Sequence, residues 1–370
     1  MRTLRSPGWE SDEYGPAVES ALAQFLAEKQ RAAVTPQVGM FVGWLREFLA
    51  GGKYLRPLVC CYGWLAADGG GRLSDQVVGV AASLELFHAF ALIHDDVMDG
   101  SDLRRGRPAA HRRIAACHSG HRDAERLGVN TAILLGDLAL GWSFELVHAA
   151  GLNTSQAAVV WPLLDAMRVA TMSGQYLDLA AAGDADLDAA LAIARYKTAA
   201  YTVDYPLRVG AALAGAGPQL LSACSTYGTA LGEAFQLHDD LLGVFGDPEH
   251  TGKPAIDDLR TGKHTALLAV ALHNADPDQR RVLDQLVGDP DLDEPGADRV
   301  RSILTATGAR ATVEDMIADR HHRALTALAP DLFAPAAADR LRQLAAAAVD
   351  KARAEDSRSK PAATQAVPEP

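Results

Sequence analysis

The chain has 370 residues, 48% of them hydrophobic and 22% charged, with a formal net charge of −12. That length and composition suit a globular protein with a sizeable buried core. The acidic balance argues against nucleic acid as a partner, and an anionic substrate would need cations gathered locally as Lys, Arg or metal.

Residues 1–14 are polar and predicted to be flexible, and the opening Met1-Arg2-Thr3-Leu4-Arg5-Ser6-Pro7 holds no apolar signal core. From there the pattern is helical almost throughout, with Ala and Leu abundant and apolar residues recurring at three- and four-residue spacing. Helices are predicted near 16–33, 38–50, 55–67, 74–99, 122–150, 155–181, 187–214, 218–245, 263–275, 297–307, 312–328 and 335–353. Gly69-Gly70-Gly71 and the Gly/Pro/Asp-rich stretch 246–262 break the pattern. Strand-like alternation is scarce, so the fold class is all-α, a single-domain helical bundle over residues 15–354. A Pro-, Ser- and Ala-rich tail, residues 355–370, follows as a disordered segment. The longest apolar stretch, Val77 to Ile93, contains Glu85 and His88 and reads as a buried helix, so no membrane span is expected. Cys60, Cys61, Cys117 and Cys224 form no C-x-x-C pair, which suits a reducing cytoplasmic compartment.

Two Asp-Asp pairs echo each other. His94-Asp95-Asp96 and His238-Asp239-Asp240 both follow apolar runs and precede polar loops containing glycine. The echo suggests two helices presenting carboxylates toward one cavity. In Asp95-Asp96-Val97-Met98-Asp99, a helix places Asp95 and Asp99 within about 40° of each other and turns Asp96 away by about 100°. Like charges on one face repel, and hard oxygen ligands of this type suit Mg²⁺, which completes its shell with waters and phosphate oxygens. A solvated acidic helix end is the plainer alternative; the apolar run leading into the motif argues against it. His88, seven residues before Asp95, lies within about 20° of the same face. It is either a satisfied core histidine or a substrate contact.

The loop Asp102-Leu103-Arg104-Arg105-Gly106-Arg107 follows directly, and guanidinium groups grip phosphate oxygens bidentately. Gly51-Gly52-Lys53-Tyr54-Leu55-Arg56-Pro57 adds two cations, which share a face if a helix starts there. The second cluster runs from Phe235 through Gln236, Asp239 and Asp240, with Gly243 in the fifth place and Asp247 beyond it. Thr-Gly-Lys triplets follow at 251–253 and 261–263. A phosphate-binding P-loop is ruled out, because Pro254 replaces the Ser/Thr and no strand precedes. Singly, each of these segments could be a plain surface loop. Together they describe metal, diphosphate and basic side chains around one site.

In that combination the chain resembles the trans-isoprenyl diphosphate synthases, and within them the bacterial geranylgeranyl-type synthases, over roughly residues 38 to 330. The motifs that carry the resemblance are Gly51 to Pro57, His88 to Gly106, Gly174-Gln175, Lys197-Thr198, Phe235 to Asp240 and the two Thr-Gly-Lys segments. The resemblance implies the isoprenoid synthase fold, a helical bundle around a deep central cavity, assembled as a homodimer. It implies Mg²⁺, as three ions, with Asp95, Asp99 and Asp239 as metal ligands supported by Asp96 and Asp240. Lys53, Arg56, His88 and Arg105 match positions that hold isopentenyl diphosphate. Arg104, Lys197, Thr198, Gln236, Lys253 and Lys263 match those around the allylic diphosphate, whether dimethylallyl, geranyl or farnesyl. The catalytic set so implied is Asp95, Asp96, Asp99, Arg104, Lys197, Asp239 and Lys253. Gly243 departs from the family pattern, which commonly ends the second motif in Asp.

Product length depends on cavity depth. Phe87, Phe90 and Ala91 precede Asp95 by one or two turns, and an aromatic five before the first Asp resembles the C20 pattern. Ideal helix geometry places Ala91 near the Asp95 face but turns Phe90 away by about 140°, so packing against neighbouring helices stays open for both phenylalanines. Geranylgeranyl diphosphate is the expected product and farnesyl diphosphate the alternative. A terpene cyclase would carry an Asn/Ser/Glu metal motif where Gln236 to Asp240 stand. An inactive partner subunit would have lost aspartates from the first motif, which this chain keeps.

Overall fold

The structure is a computed structural model that describes residues 14–68, 73–181, 186–246 and 255–359. The chain opens with α1 (Gly15–Arg31), α2 (Pro36–Leu49), α3 (Leu55–Asp68) and α4 (Asp75–Met98). A short hairpin, β1 (Leu103–Arg104) and β2 (Arg107–Pro108), leads into α5 (Ala110–Cys117), α6 (Ala124–Ala149) and α7 (Thr154–Ala180). Next come α8 (Leu187–Ile193), a π-helical segment (Ala194–Asp204), α9 (Tyr205–Leu213) and the long α10 (Pro218–Phe245). The rest is α11 (Asp257–Arg260), α12 (Ala266–Asn274), α13 (Pro277–Leu286), α14 (Glu294–Ala306), α15 (Ala309–Ala327) and α16 (Pro335–Ser359). The all-α expectation holds: the two-residue strands of the hairpin are the sheet of the described residues.

The elements follow from local chemistry. Ser74 caps α4, Asn153 and Gln156 form a reciprocal capping box on α7, and Pro218 opens α10 where its missing N–H costs nothing. Helix α4 is apolar on nearly every side, the pattern of a core helix. It packs against α6, α3 and α1, burying Val80, Leu84, Leu86, Phe87 and Ile93. Each such side chain contributes roughly 1.5–3 kcal/mol. Both α4 and α6 are long and apolar enough to cross a membrane, but 72% of the apolar window of α4 is buried inside this bundle.

Helix α10 joins two cores. Its first half places Leu220, Cys224, Tyr227 and Leu231 in the large core with α3, α4 and α9. Its second half places Leu237, Leu241 and Val244 in a smaller core with α12, α14 and α15. The first Asp-Asp pair therefore ends a helix of the large core, and the second lies within the smaller one.

Four local expectations are corrected. The helix predicted over 187–214 is three pieces, with eleven π-helical residues in its middle. The region between α4 and α6 is not simply a loop but holds the hairpin and α5. Helix α12 starts at Ala266 rather than near 263, and α11 and α13 were not anticipated. Helix α3 starts at Leu55, so Lys53 stands outside it and does not share a helical face with Arg56.

Candidate active site

Asp95 and Asp96 occupy the last turn of α4, and Asp99 closes it, its backbone N–H donating to Asp95 O at 2.9 Å. The chain then reverses at Arg105-Gly106, whose φ angles are +54° and +70°. Leu103 pairs with Pro108 and Arg104 with Arg107 across this two-residue turn. Positive φ at both central residues makes it a type I′ turn, which ordinarily takes Asn or Gly where Arg105 stands. The strained arginine costs on the order of 1 kcal/mol. The turn aims Arg104 back at the helix it has just left. Its Nε donates to Asp96 Oδ1 at 2.8 Å and its Nη2 to Asp95 Oδ2 at 3.0 Å and to Asp96.

Asp95 is gripped from the other side by Lys197 Nζ at 2.9 Å, with Gln175 Nε2 at 3.3 Å from the same oxygen. Lys197 in turn pairs with Asp178, one turn beyond Gln175 on α7. Burial pushes the Asp95 carboxyl up, but Lys197 and Arg104 outweigh it and hold the pKa below the ordinary value. Asp99, more exposed at the helix end, goes the other way: partial desolvation with Asp95 and Asp178 outweighs Lys197 and Arg104 and raises it to about 6. Asp96 is fully buried, and burial raises it against the pull of Arg104.

The π-helical segment places Lys197, Thr198, Tyr201 and Thr202. A π coil is wider than an α-helix and is found mostly as single-turn bulges, often at functional sites. Here glycines on both flanking helices make the room. A Cβ at Gly174 of α7 would overlap the Lys197 backbone nitrogen, and one at Gly232 of α10 would come within 2.6 Å of Ala199 Cα. The segment thus spans from Asp95, through Lys197, to the turn of α10 just before Gln236.

On the inner side, Arg56 donates to Thr202 Oγ1 at 2.8 Å and lies 4.3 Å above the Tyr201 ring. The Tyr201 hydroxyl is 3.4 Å from His88 Nδ1. Burial and then Arg56, Arg105 and Arg104 push the His88 pKa well down, so the ring stays neutral. Glu85, one turn earlier on α4, is buried and its carboxyl is raised by that burial against Arg56 and Arg105. Lys53 and Arg105 are exposed at the rim.

The second cluster is more enclosed. Asp240 is 4% exposed and accepts from Gln236 Nε2 and from Lys263 Nζ, both at 2.9 Å. Burial raises Asp240 against Lys263 and Gln236. Burial works the other way on Lys263, but Asp240, Asp258 and Asp239 keep it firmly charged. Asp239 is half-buried and makes no ion pair among the described residues. A Cβ at Gly243 would overlap the carboxylate of Asp258 and stand 2.8 Å from its Cγ. Asp258, on α11, therefore fills the space where the commoner aspartate of the second motif would project, 3.9 Å from Lys263 Nζ. Lys253 and Asp247 lie outside the described residues.

Phe90 is buried, edge-on to His94 at 4.9 Å, while Phe87 packs on Phe90 at 5.4 Å and edge-on to Tyr201 at 5.8 Å between ring centres. Ala91 is half-buried beside them. Three residues of the site escaped the sequence reading: Asp178, Tyr201 and Asp258. Asp178 had a signal, since it sits three residues after Gln175 and shares its face.

The polyprenyl synthetase family pattern matches residues 41–306. The chain belongs to the polyprenyl synthetase family. A geranylfarnesyl diphosphate synthase of Aeropyrum pernix is 36% identical over 267 residues, 70% of this chain and 77% of that one. A (2E,6E)-farnesyl diphosphate synthase of Mycobacterium bovis is 35% identical over 250 residues, 65% of this chain and 64% of that one. The crystal structure of a Corynebacterium glutamicum geranylgeranyl pyrophosphate synthase, complexed with isoprenyl diphosphate and magnesium, superposes with a TM-score of 0.86 at 38% identity. It covers 92% of this chain and 99% of that one. As a polyprenyl synthetase the chain is a prenyltransferase.

The donor set of this polyprenyl synthetase fits a hard divalent cation. Asp95, Asp99 and Asp178 lie together at one end of α4; Arg104 and Lys197 pair with Asp95 and Asp178, and Asp99 has no ion pair among the described residues. Among the described residues no three acidic, histidine or cysteine side chains converge on one point. Mg²⁺ bound by so few carboxylates would take its remaining oxygens from waters and a diphosphate.

Proposed function

We propose that this chain joins isopentenyl diphosphate head-to-tail (1′-4) to an allylic diphosphate, repeating the step until it reaches geranylgeranyl diphosphate, C20. The observation that carries the reading is Asp95 held between Arg104 and Lys197. A carboxylate for a divalent ion and cations for a diphosphate sit within bonding reach of each other. Bound Mg²⁺, expected as three ions on Asp95, Asp99 and Asp239, supplies neutralisation of the charge that builds on the departing diphosphate.

The chain's own groups do the rest. Arg104 and Lys197 exchange Asp95 for phosphate oxygens once the carboxylate is engaged elsewhere, and Thr198, Gln236, Lys253 and Lys263 complete the allylic side. A unit charge pair at 4 Å is worth about 4 kcal/mol in a protein-like dielectric, so several such contacts lower the ionisation barrier substantially. Lys53, Arg56, Arg105 and neutral His88 hold isopentenyl diphosphate with its double bond beside the allylic carbon. The new C–C bond forms as the allylic C–O bond breaks, and the proton lost from the isopentenyl unit leaves with the released diphosphate. Phe87, Phe90 and Tyr201 keep the path of the growing tail dry.

Exposed Val169, Met172, Tyr176 and Leu179 form one stripe along α7, with Ile133 and Leu134 exposed on α6. Such an apolar surface supports a homodimer, and light scattering measures its mass.

The test is direct. Purified protein, Mg²⁺, labelled isopentenyl diphosphate and each allylic starter are incubated and the products sized. A C20 end point is expected. A C15 end point replaces it with the farnesyl reading, which the Mycobacterium bovis relative favours; no incorporation removes both.

A further inference from the structure

Phe87 borders a small cavity as well as other aromatic rings. One side of its ring meets Phe90 and Tyr201. It also borders a cavity of about 10 Å³, room for one water, lined further by Ser83, Ser143, Val147, Met167 and Arg168. The two serine hydroxyls are turned to their own helices: Ser83 donates to Val80 O at 2.6 Å and Ser143 to Leu140 O at 2.7 Å. The cavity wall is therefore apolar in practice, except for Arg168.

Arg168 is held firmly. Its side chain is 14% exposed, its guanidinium lies 3.7 Å above the Phe144 ring and 5.7 Å from that of Trp161, and Nη1 pairs with Asp165 at 2.5 Å. Phe144 and Trp161 are themselves stacked, with 12° between their planes. Burial lowers its pKa without neutralising it. A hydrocarbon tail that reached this group would have to displace a half-buried cation from its aromatic and carboxylate partners.

We propose that Arg168 is a second floor beneath Phe87, a product-length determinant that acts only when a tail has passed the phenylalanine. It rests on the prenyl-chain reading given above. Phe87 stops the tail first. Arg168, stacked on Phe144 and Trp161, stops whatever passes it.

The two floors stand in series, so their removal is non-additive in a defined way. The wild type, Phe87→Ala, Arg168→Leu and the double variant are each supplied with Mg²⁺, farnesyl diphosphate and excess isopentenyl diphosphate. Products are sized by chromatography and mass spectrometry, and melting temperatures are measured alongside. Arg168→Leu alone is expected to keep the wild-type length, because Phe87 still blocks the path. Phe87→Ala is expected to add at least one C5 unit, and the double variant at least one more. Phe87→Ala/Arg168→Lys retains the charge and is expected to keep the length of Phe87→Ala. If the alanine variants do not fold, the same comparison is made with Phe87→Leu.

A double variant no longer than its Phe87 parent overturns the proposal. So does lengthening by Arg168→Leu alone, or a Phe87 variant of unchanged length. A wild type that incorporates no isopentenyl unit fails earlier, at the prenyl-chain reading itself.

Discussion

The two aspartate pairs solve the same problem in different surroundings. In each pair the second residue is buried and held by one cation from a later segment: Asp96 by Arg104, Asp240 by Lys263. The first residue of each pair is the more accessible one. The difference lies in what surrounds it. Asp95 ends a helix and is bracketed by cations from a hairpin and from the π-helical segment. Asp239 lies within a helix, with no ion pair among the described residues, and the fifth place beside it is Gly243, filled by Asp258 from α11. A shared Asp-Asp sequence thus yields one cluster that is pre-paired with the cations it would hand to a diphosphate, and one that is walled in.

The largest expected effect tests that asymmetry at its strong end. Asp95→Ala removes the group on which Arg104, Lys197 and Gln175 converge. Isopentenyl incorporation should fall by about 10²–10³-fold, from the scale of single electrostatic groups in active sites. Asp239→Ala, measured in the same assay, should cost less. Near-wild-type turnover for Asp95→Ala would break the comparison outright.

Stability comes next. Arg104→Ala leaves Asp96 buried with no cation and Asp95 with one fewer, which should cost roughly 3–5 kcal/mol in urea unfolding. Lys263→Ala leaves Asp240 with Gln236 still donating, so roughly 2–3 kcal/mol is expected. The reverse order would mean that the second cluster, not the first, depends more on its cation.

The third effect concerns Gly243. Gly243→Asp would overlap the Asp258 carboxylate and place two like charges together, a loss of roughly 1–3 kcal/mol by the cost of overpacking. Adding Asp258→Ala should restore most of it. If Gly243→Asp is as stable as the wild type, Asp258 does not hold that space.

These comparisons also show what the sequence could and could not reveal. The long helices were legible because their apolar faces repeat over many turns, and Val77 to Ile93 announced a core helix by being apolar on every side. The pairing of Arg104 with α4 was half-legible, since a loop eight residues on can only fold back. The π-helical segment was not legible. Its residues carry the same three- and four-residue spacing as an α-helix, and the wider coil depends on Gly174 and Gly232 from other helices. Asp258 was invisible for the same reason: it comes fifteen residues after Gly243, on another helix, and only the packing brings the two together. Helix α13 had a usable signal in Asp276-Pro277 and Gln279, a capping box, but it buries only Leu283 and so lacked an apolar stripe. The phenylalanines before Asp95 were located, yet helix geometry alone put Phe90 away from the site, and only the packing shows Phe87 against Tyr201.

The smallest expected effect is a pH dependence confined to the first cluster. With metal removed by chelation, the Asp99 carboxyl sits at about 6 in the folded protein, against an ordinary value of 3.8, because partial desolvation, Asp95 and Asp178 together outweigh Lys197 and Arg104. The folded state then binds this proton more tightly than the unfolded chain does. Stability must fall as pH rises through the window from about 4 to 6, and stay reduced above it. Asn at this position carries no charge, so Asp99→Asn should match the wild type near pH 4 and melt higher at pH 7. Asp99 is exposed at the helix end, so solvent screening keeps the gain to a degree or two rather than the full value of the shift. Saturating Mg²⁺ with inorganic diphosphate should reverse the order, because the wild-type carboxylate then has the partner it lacks. Melting curves of both proteins at pH 4, 5, 6 and 7, with and without Mg²⁺ and diphosphate, decide it. If the two proteins melt together at every pH, the crowding at the end of α4 carries no energetic weight, and the first cluster would be no more in need of a divalent ion than the second.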